Sequence, residues 1–280
     1  MSGTLFVVAT PIGNLEDLSP RARQTLAEVD LVAAEDTRHT GRLLSHLGLK
    51  TRQFALHEHN EARAAQVLIE QLKDGKSVAL VSDAGTPLVS DPGYRLVQAA
   101  HAHGIAVSPL PGPSAVTAAL SVSGLPTDRF GFEGFPPAKQ AARRKWLQAR
   151  ADDQRTLLFF EAVHRIAATL ADMVDVFGAG RQAFLGRELT KLHEQSRRAS
   201  LGELLDELTN GTIVSKGEFV IAIHGAGDAP ASSIDTDRLL TELAEALPPK
   251  KAAAIAARVT GETRNALYKR LLEIKGDGDA

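Results

Sequence analysis

A chain of 280 residues with 44% hydrophobic and 24% charged positions is ordinary for a folded globular protein and has room for two cores. A formal net charge of −2 argues against wholesale polyanion binding, so any nucleic-acid contact must come from a local patch. The absence of cysteine excludes disulfides and thiolate metal sites. Together with an N-terminus that has no basic leader and no apolar run long enough to span a membrane, it predicts a cytoplasmic protein.

Through the first half, short apolar runs alternate with helical patterns. Strands are expected at 5–9, 31–34, 54–56, 78–81 and 105–108, and helices at 20–28, 38–47, 61–73 and 94–103. Gly48, Gly75 and Gly104 stand where helix C-caps belong. This order implies a mainly parallel sheet with crossover helices over residues 1–118. From about residue 120 the candidates are strands at 129–132, 157–160, 183–187 and 219–223, with helices at 139–151, 166–176 and 201–208. They predict a second α/β domain over 119–226 with more antiparallel pairing. Residues 225–233 read as a linker, followed by a basic helical domain over 235–280.

The densest signal is Ser82-Asp-Ala-Gly-Thr-Pro-Leu-Val-Ser-Asp-Pro-Gly93, a loop of Gly, Pro and small polar residues directly after a strand. Phe6-Val-Val-Ala-Thr-Pro-Ile-Gly-Asn14 and Val107-Ser-Pro-Leu-Pro-Gly-Pro-Ser-Ala115 repeat the same grammar. Three such strand ends point to a small-molecule cleft built mostly from backbone, at the edge where open α/β sheets hold ligands. Gly75-Lys-Ser77 is no phosphate loop, because it precedes a strand and position 70 is Glu, and no Gly-x-Gly-x-x-Gly follows a strand. His57-Glu-His59 supplies two imidazoles on one strand face without a third ligand, so no metal is expected. Charged clusters close three further strands: Glu35-Asp-Thr-Arg38, Glu161-Ala-Val-His-Arg165 and Arg187-Glu-Leu-Thr-Lys-Leu-His193. For the first, a helix cap with a surface ion pair and a substrate-gripping role stand even.

Taken in order, Thr10–Asn14, Glu35–Arg38, Ser82–Pro87, Pro111–Ala115 and Arg187–Glu194 resemble the ribosomal RNA small subunit methyltransferase I family, a branch of the tetrapyrrole-methylase-like enzymes. The resemblance covers essentially the whole chain. It implies two α/β domains of tetrapyrrole-methylase type with S-adenosylmethionine folded into the cleft between them. It also implies a homodimer, and methylation of a cytidine ribose 2′-hydroxyl in 16S ribosomal RNA near the decoding centre. Ala162-Val163 stands where the family commonly has Ser-Pro. The rivals are a methylase of small, tetrapyrrole-type substrates and a non-catalytic RNA-binding assembly factor.

On that basis the cofactor is expected on Asp83, Ala84, Gly85, Leu88, Val89, Ser114 and Ala115, with Pro11 beneath it and Phe160-Glu161 closing from the second domain. The hydroxyl needs a proton acceptor, assigned to Glu188 with Lys191, with Glu35 as a further candidate. RNA contacts are expected from Arg38, Arg143, Arg144 and Arg187, and from the tail residues Lys250, Lys251, Arg264, Lys269 and Arg270. The Lys139–Arg150 stretch around Trp146, with no acid between its ends, reads equally as a solvated helix face. Residues 248–276 carry seven cations against two acids in a helix-turn-helix pattern. RNA docking and dimer packing are both open to it.

Overall fold

The computed structural model describes residues 2–226, 236–260 and 262–276. Met1–Gly225 forms one compact unit, and the C-terminal stretch from Ala226 forms another. The expected linker at 225–233 lies almost wholly outside the described residues.

The first sheet contains β1 (Thr4–Val8), β2 (Leu31–Ala34), β3 (Gln53–Ala55), β4 (Val78–Val81) and β5 (Ala106–Leu110), in the order β3-β2-β4-β1-β5 with every pair parallel. Parallel strands buried on both faces read as unbroken apolar runs, as Leu-Val-Ala-Ala and Val-Ala-Leu-Val do here. Alternate residues feed opposite cores. Leu31, Ala33, Val78 and Leu80 pack with Leu68 and Leu72 of α3 (Glu61–Lys73) and Leu96 of α4 (Tyr94–Ala102). Val32, Ala34, Ala79 and Val81 pack with Leu26 of α1 (Pro20–Glu28) and Leu44 of α2 (Thr37–His46). Ser19 and Asp36 cap α1 and α2 through their side chains. Gly48, Gly75 and Gly104 all take positive φ, as the C-cap expectation required.

The second sheet has the order β6-β7-β10-β8-β9, from β6 (Phe130–Phe132), β7 (Thr156–Glu161), β8 (Gln182–Arg187), β9 (Gln195–Ser200) and β10 (Phe219–Ile223). Only β6 and β7 run parallel. One face is covered by α6 (Gln140–Gln148), α7 (Ile166–Phe177) and α8 (Leu201–Thr209) around Phe159 and Ile221. The other is covered by α5 (Ala115–Ser123), whose Val116, Ala119 and Leu120 meet Leu158, Phe184 and Val220. Strand β9 and helix α5 are absent from the sequence reading. A division at 118/119 falls inside α5, which packs as a whole on the second sheet.

The C-terminal unit consists of α9 (Thr236–Ala246), α10 (Pro249–Thr260) and α11 (Arg264–Gly276) around Leu240, Ala252, Ala253, Ala256, Leu267 and Leu271. Among the described residues no helix is long and apolar enough to cross a membrane.

Candidate active site

The loops after β1, β4 and β5 are tied together where their strands end. Thr10 and Gly85 exchange backbone hydrogen bonds of 2.8 and 3.0 Å, and Thr86 Oγ1 donates to the Pro113 carbonyl at 3.0 Å. Gly85 has φ +85°, and a Cβ there would sit 3.3 Å from Ile12, so this close approach needs glycine. Leu88 (φ +73°) and Ser90 (φ +71°) hold left-handed backbone without being glycine, each costing on the order of 1 kcal/mol. Glu61 of α3 anchors the far end of the loop, its Oε1 accepting the Gly93 and Arg95 amides at 3.0 and 2.9 Å.

Against these loops lies a cavity of about 500 Å³, within the usual range for a small-molecule site. Its walls from the first lobe are Ile12, Glu35, Asp83, Ala84, Gly85, Thr86, Val89, Ser90, Asp91, Ser114 and Ala115. From the second come Phe135, Phe160, Glu161, Ala162, Val163 and Gly217–Val220. Eight of the ten residues expected to hold the cofactor are thus brought together. Leu88 is not, because its side chain turns into the core beside Leu80. Pro11 lines a smaller neighbouring cavity that shares Asp83 with the large one.

Five carboxylate residues stand in the cavity wall: Glu35, Asp83, Asp91, Glu161 and Glu218. Burial pushes the Glu35 carboxyl up, against the pull of the Asp83 amide 3.4 Å away, and Asp83, Glu58 and Asp36 add repulsion. Burial likewise drives Asp91 up to about 6, with Glu35 and Asp83 repelling its charge and Ser82 opposing. Sequence reasoning stopped at Val89 and missed Asp91. Position i+8 from Asp83 in the same loop was the available signal. Glu161 does different work: its side chain is fully buried, bonded to Thr169 (2.5 Å), the Ala162 amide (2.7 Å) and Arg165 (2.8 Å), and so fixes the turn at 162–165.

Glu188 and Lys191 do not line the cavity but stand behind its wall. Lys191 Nζ bridges Glu188 (2.9 Å) and Glu218 (3.0 Å), and the Glu218 amide donates to Glu188 Oε1 at 2.9 Å. Burial raises the Glu188 carboxyl, but Lys191 and that amide outweigh it and hold the group below the ordinary glutamate range. A carboxylate so well paired is a poor proton acceptor; Glu218, which the pair contacts, is the member that lines the cavity. Glu188 (φ +50°) and Thr190 (φ +66°) repeat the left-handed alternation of Leu88 and Ser90.

Several expected RNA contacts are internal instead. Arg143 is 4% exposed and bound to the fully buried Asp172 at 2.6 Å. Arg187 is 7% exposed and donates to the Lys216 and His193 carbonyls at 2.5 and 2.8 Å. Arg144 pairs with Asp172 and Asp175, and Arg38, though exposed, is clamped bidentately by Asp36. In the C-terminal unit Lys250, Lys251, Arg264 and Lys269 are exposed, while Arg270 binds Asp237 at 2.6 and 2.9 Å. Among the described residues no three His, Asp or Glu side chains are grouped to hold a metal.

Comparison with known proteins accounts for both units. The family model for Tetrapyrrole (Corrin/Porphyrin) Methylases matches residues 4–205, and that for the RsmI C-terminal HTH domain matches 230–275. The ribosomal RNA small subunit methyltransferase I of Xylella fastidiosa is 54% identical over 267 residues, 95% of this chain and 98% of that protein. The Pseudomonas aeruginosa protein of the same name is 53% identical over 279 residues, 98% of this chain and 99% of its own length. Two solved structures share the fold: diphthine synthase (18% identity, TM-score 0.60, 79% of this chain and 90% of that one) and uroporphyrin-III C-methyltransferase of Thermus thermophilus complexed with S-adenosylhomocysteine (18%, 0.54, 80% and 98%). The chain belongs to the ribosomal RNA small subunit methyltransferase I family, within the tetrapyrrole methylases.

Proposed function

We propose that the protein transfers the methyl group of S-adenosylmethionine to the ribose 2′-hydroxyl of a cytidine in small-subunit ribosomal RNA, near the decoding centre. In this reading it acts in the cytoplasm as a homodimer, on the RNA or the assembled subunit. The observation that carries the reading is the 500 Å³ cavity whose floor is the hydrogen-bonded main chain of three strand ends. The residues fit the cofactor: Gly85 keeps the floor open, and Phe135 and Phe160 offer apolar faces opposite Val89 and Ala115. When bound, the cofactor supplies an electrophilic methyl on sulfonium sulfur.

The protein's part is then to place and deprotonate the hydroxyl. Fixed geometry of this kind is worth roughly 7–11 kcal/mol of a barrier when alignment is ideal. Glu35 serves as the proton acceptor: it lines the cavity, and its raised affinity for a proton suits a transient base better than the clamped Glu188. Exposed Lys250, Lys251, Arg264 and Lys269 track phosphates. The names of the relatives favour RNA over a tetrapyrrole substrate.

The test is mass mapping of methylated nucleosides in small-subunit RNA from cells with and without the gene. Loss of a single 2′-O-methylcytidine is expected, and an unchanged map refutes the reading. Glu35→Gln should lower kcat about 100-fold or more at saturating substrates.

A further inference from the structure

Beside the cofactor cavity, at the ends of β1 and β4, lies a second hollow of about 200 Å³. That is several times the roughly 30 Å³ share of one water and below the range of drug-sized sites, so it suits a single small group. Its apolar lining comes from Pro11, Leu15 and Leu43. Its rim is His39, Arg42 and His46, which fall at i, i+3 and i+7 of α2 and therefore share one helix face. All three are exposed. Arg42 has no carboxylate partner among the described residues, whereas its neighbour Arg38 is neutralised by Asp36. Asp83 lines both hollows, and its Oδ1 accepts the Asp36 amide at 3.1 Å. A group in the small hollow is therefore one side chain away from a molecule in the large one.

We propose that this hollow seats a phosphodiester of the substrate RNA next to the ribose that is methylated, with Arg42 as its charged anchor and His39 and His46 flanking it. The proposal rests on the methyltransferase reading above and names the part of that site that grips substrate. A guanidinium without an intramolecular partner is a ready donor pair for phosphate oxygens. Single-stranded RNA, with its sugar accessible, is the form that can present both phosphate and hydroxyl to adjoining hollows.

The full-length protein with Arg42→Ala, Arg42→Lys or the pair His39→Ala/His46→Ala is compared with the unaltered chain. The probe is small ribosomal subunits isolated from cells lacking the gene. Methyl transfer is followed over a range of KCl at fixed Mg²⁺, and cofactor affinity is measured by calorimetry. For Arg42→Ala we expect KM for subunits to rise about tenfold, its logarithmic salt slope to fall by about one, and cofactor affinity to stay unchanged. Arg42→Lys should keep the slope and recover part of the affinity. The two histidine changes should raise KM without moving kcat. Parental KM and slope in Arg42→Ala would overturn the assignment while leaving the enzyme's activity intact. A parallel loss of cofactor affinity would overturn it as well. Failure of the unaltered protein to methylate the subunits would instead remove the methyltransferase reading, and this proposal with it.

Discussion

Replacing Arg143 by Ala separates a structural cation from an RNA contact. Arg143 and Asp172 are 4% and 0% exposed, joined at 2.6–2.7 Å, with Gln140 adding a bond to Asp172 at 3.0 Å. Removing one partner of such a pair leaves a buried charge without compensation, a loss of about 3–5 kcal/mol. Arg144, half exposed, makes up only part of it. With a urea slope of about 2 kcal/mol per molar, the unfolding midpoint should fall by roughly 1.5–2.5 M. Trp146 is the chain's single tryptophan and lies one turn along α6, edge-on to Phe159 at 5.8 Å. Its fluorescence therefore reports the lobe that is perturbed. The double variant Arg143→Met/Asp172→Leu should regain most of the loss, since no lone charge then remains. A parental urea midpoint for Arg143→Ala, with a reduced salt slope for RNA binding, would refute this reasoning and return Arg143 to the RNA surface.

Asp91 gives a pH signature. Its carboxyl is raised from 3.8 to about 6 by burial, so the stability gained from the protonated form is full below 3.8 and lost as pH rises through 6. Asp91→Asn should match the parent near pH 4 and be more stable above pH 7, by on the order of 1 kcal/mol after allowance for partial exposure. Equal differences at both pH values would count against it. Gly13→Ala drives a Cβ into Lys191 and to 2.9 Å from Thr190 Oγ1, displacing the ammonium that orders Glu218. Calorimetry should show cofactor affinity reduced severalfold, with stability lowered by about 1–3 kcal/mol; parental values in both would show the contact to be idle. A chain ending at Gly225 should keep its cofactor affinity but bind small subunits more weakly, with a flatter salt dependence. Loss of both would mean that Met1–Gly225 does not hold its fold alone.

The first sheet was legible because parallel strands buried on both faces leave continuous apolar runs. The limits expected for β2 and β4 and those found are the same. Strand β9 was not: Gln195-Ser-Arg-Arg-Ala-Ser200 is an edge, largely exposed, and joined to β8 by backbone pairing that its side chains do not encode. Helix α5 hid in a run of Ala, Ser and Val after a Gly/Pro loop, without the polar face that marks an amphipathic helix. The cavity floor was readable from Gly and Pro at three strand ends. Counting cations failed at Arg143 and Arg187, because their partners lie up to 29 residues away in sequence and only folding brings them into contact. Arg42 escaped notice for the opposite reason: it has no partner at all among the described residues, and nothing in its immediate neighbours marks it.

Strand β10 sits between β7 and β8, yet it is the last strand to be synthesised. At about 5–20 residues per second, a ribosome needs seconds to travel from Arg187 to Ile223. Until β10 is made, β7 and β8 each lack the strand they bond to in the finished sheet. Stop codons placed just before residue 219 should therefore yield insoluble product, and slowing translation between Arg187 and Ile223 should lower the soluble yield.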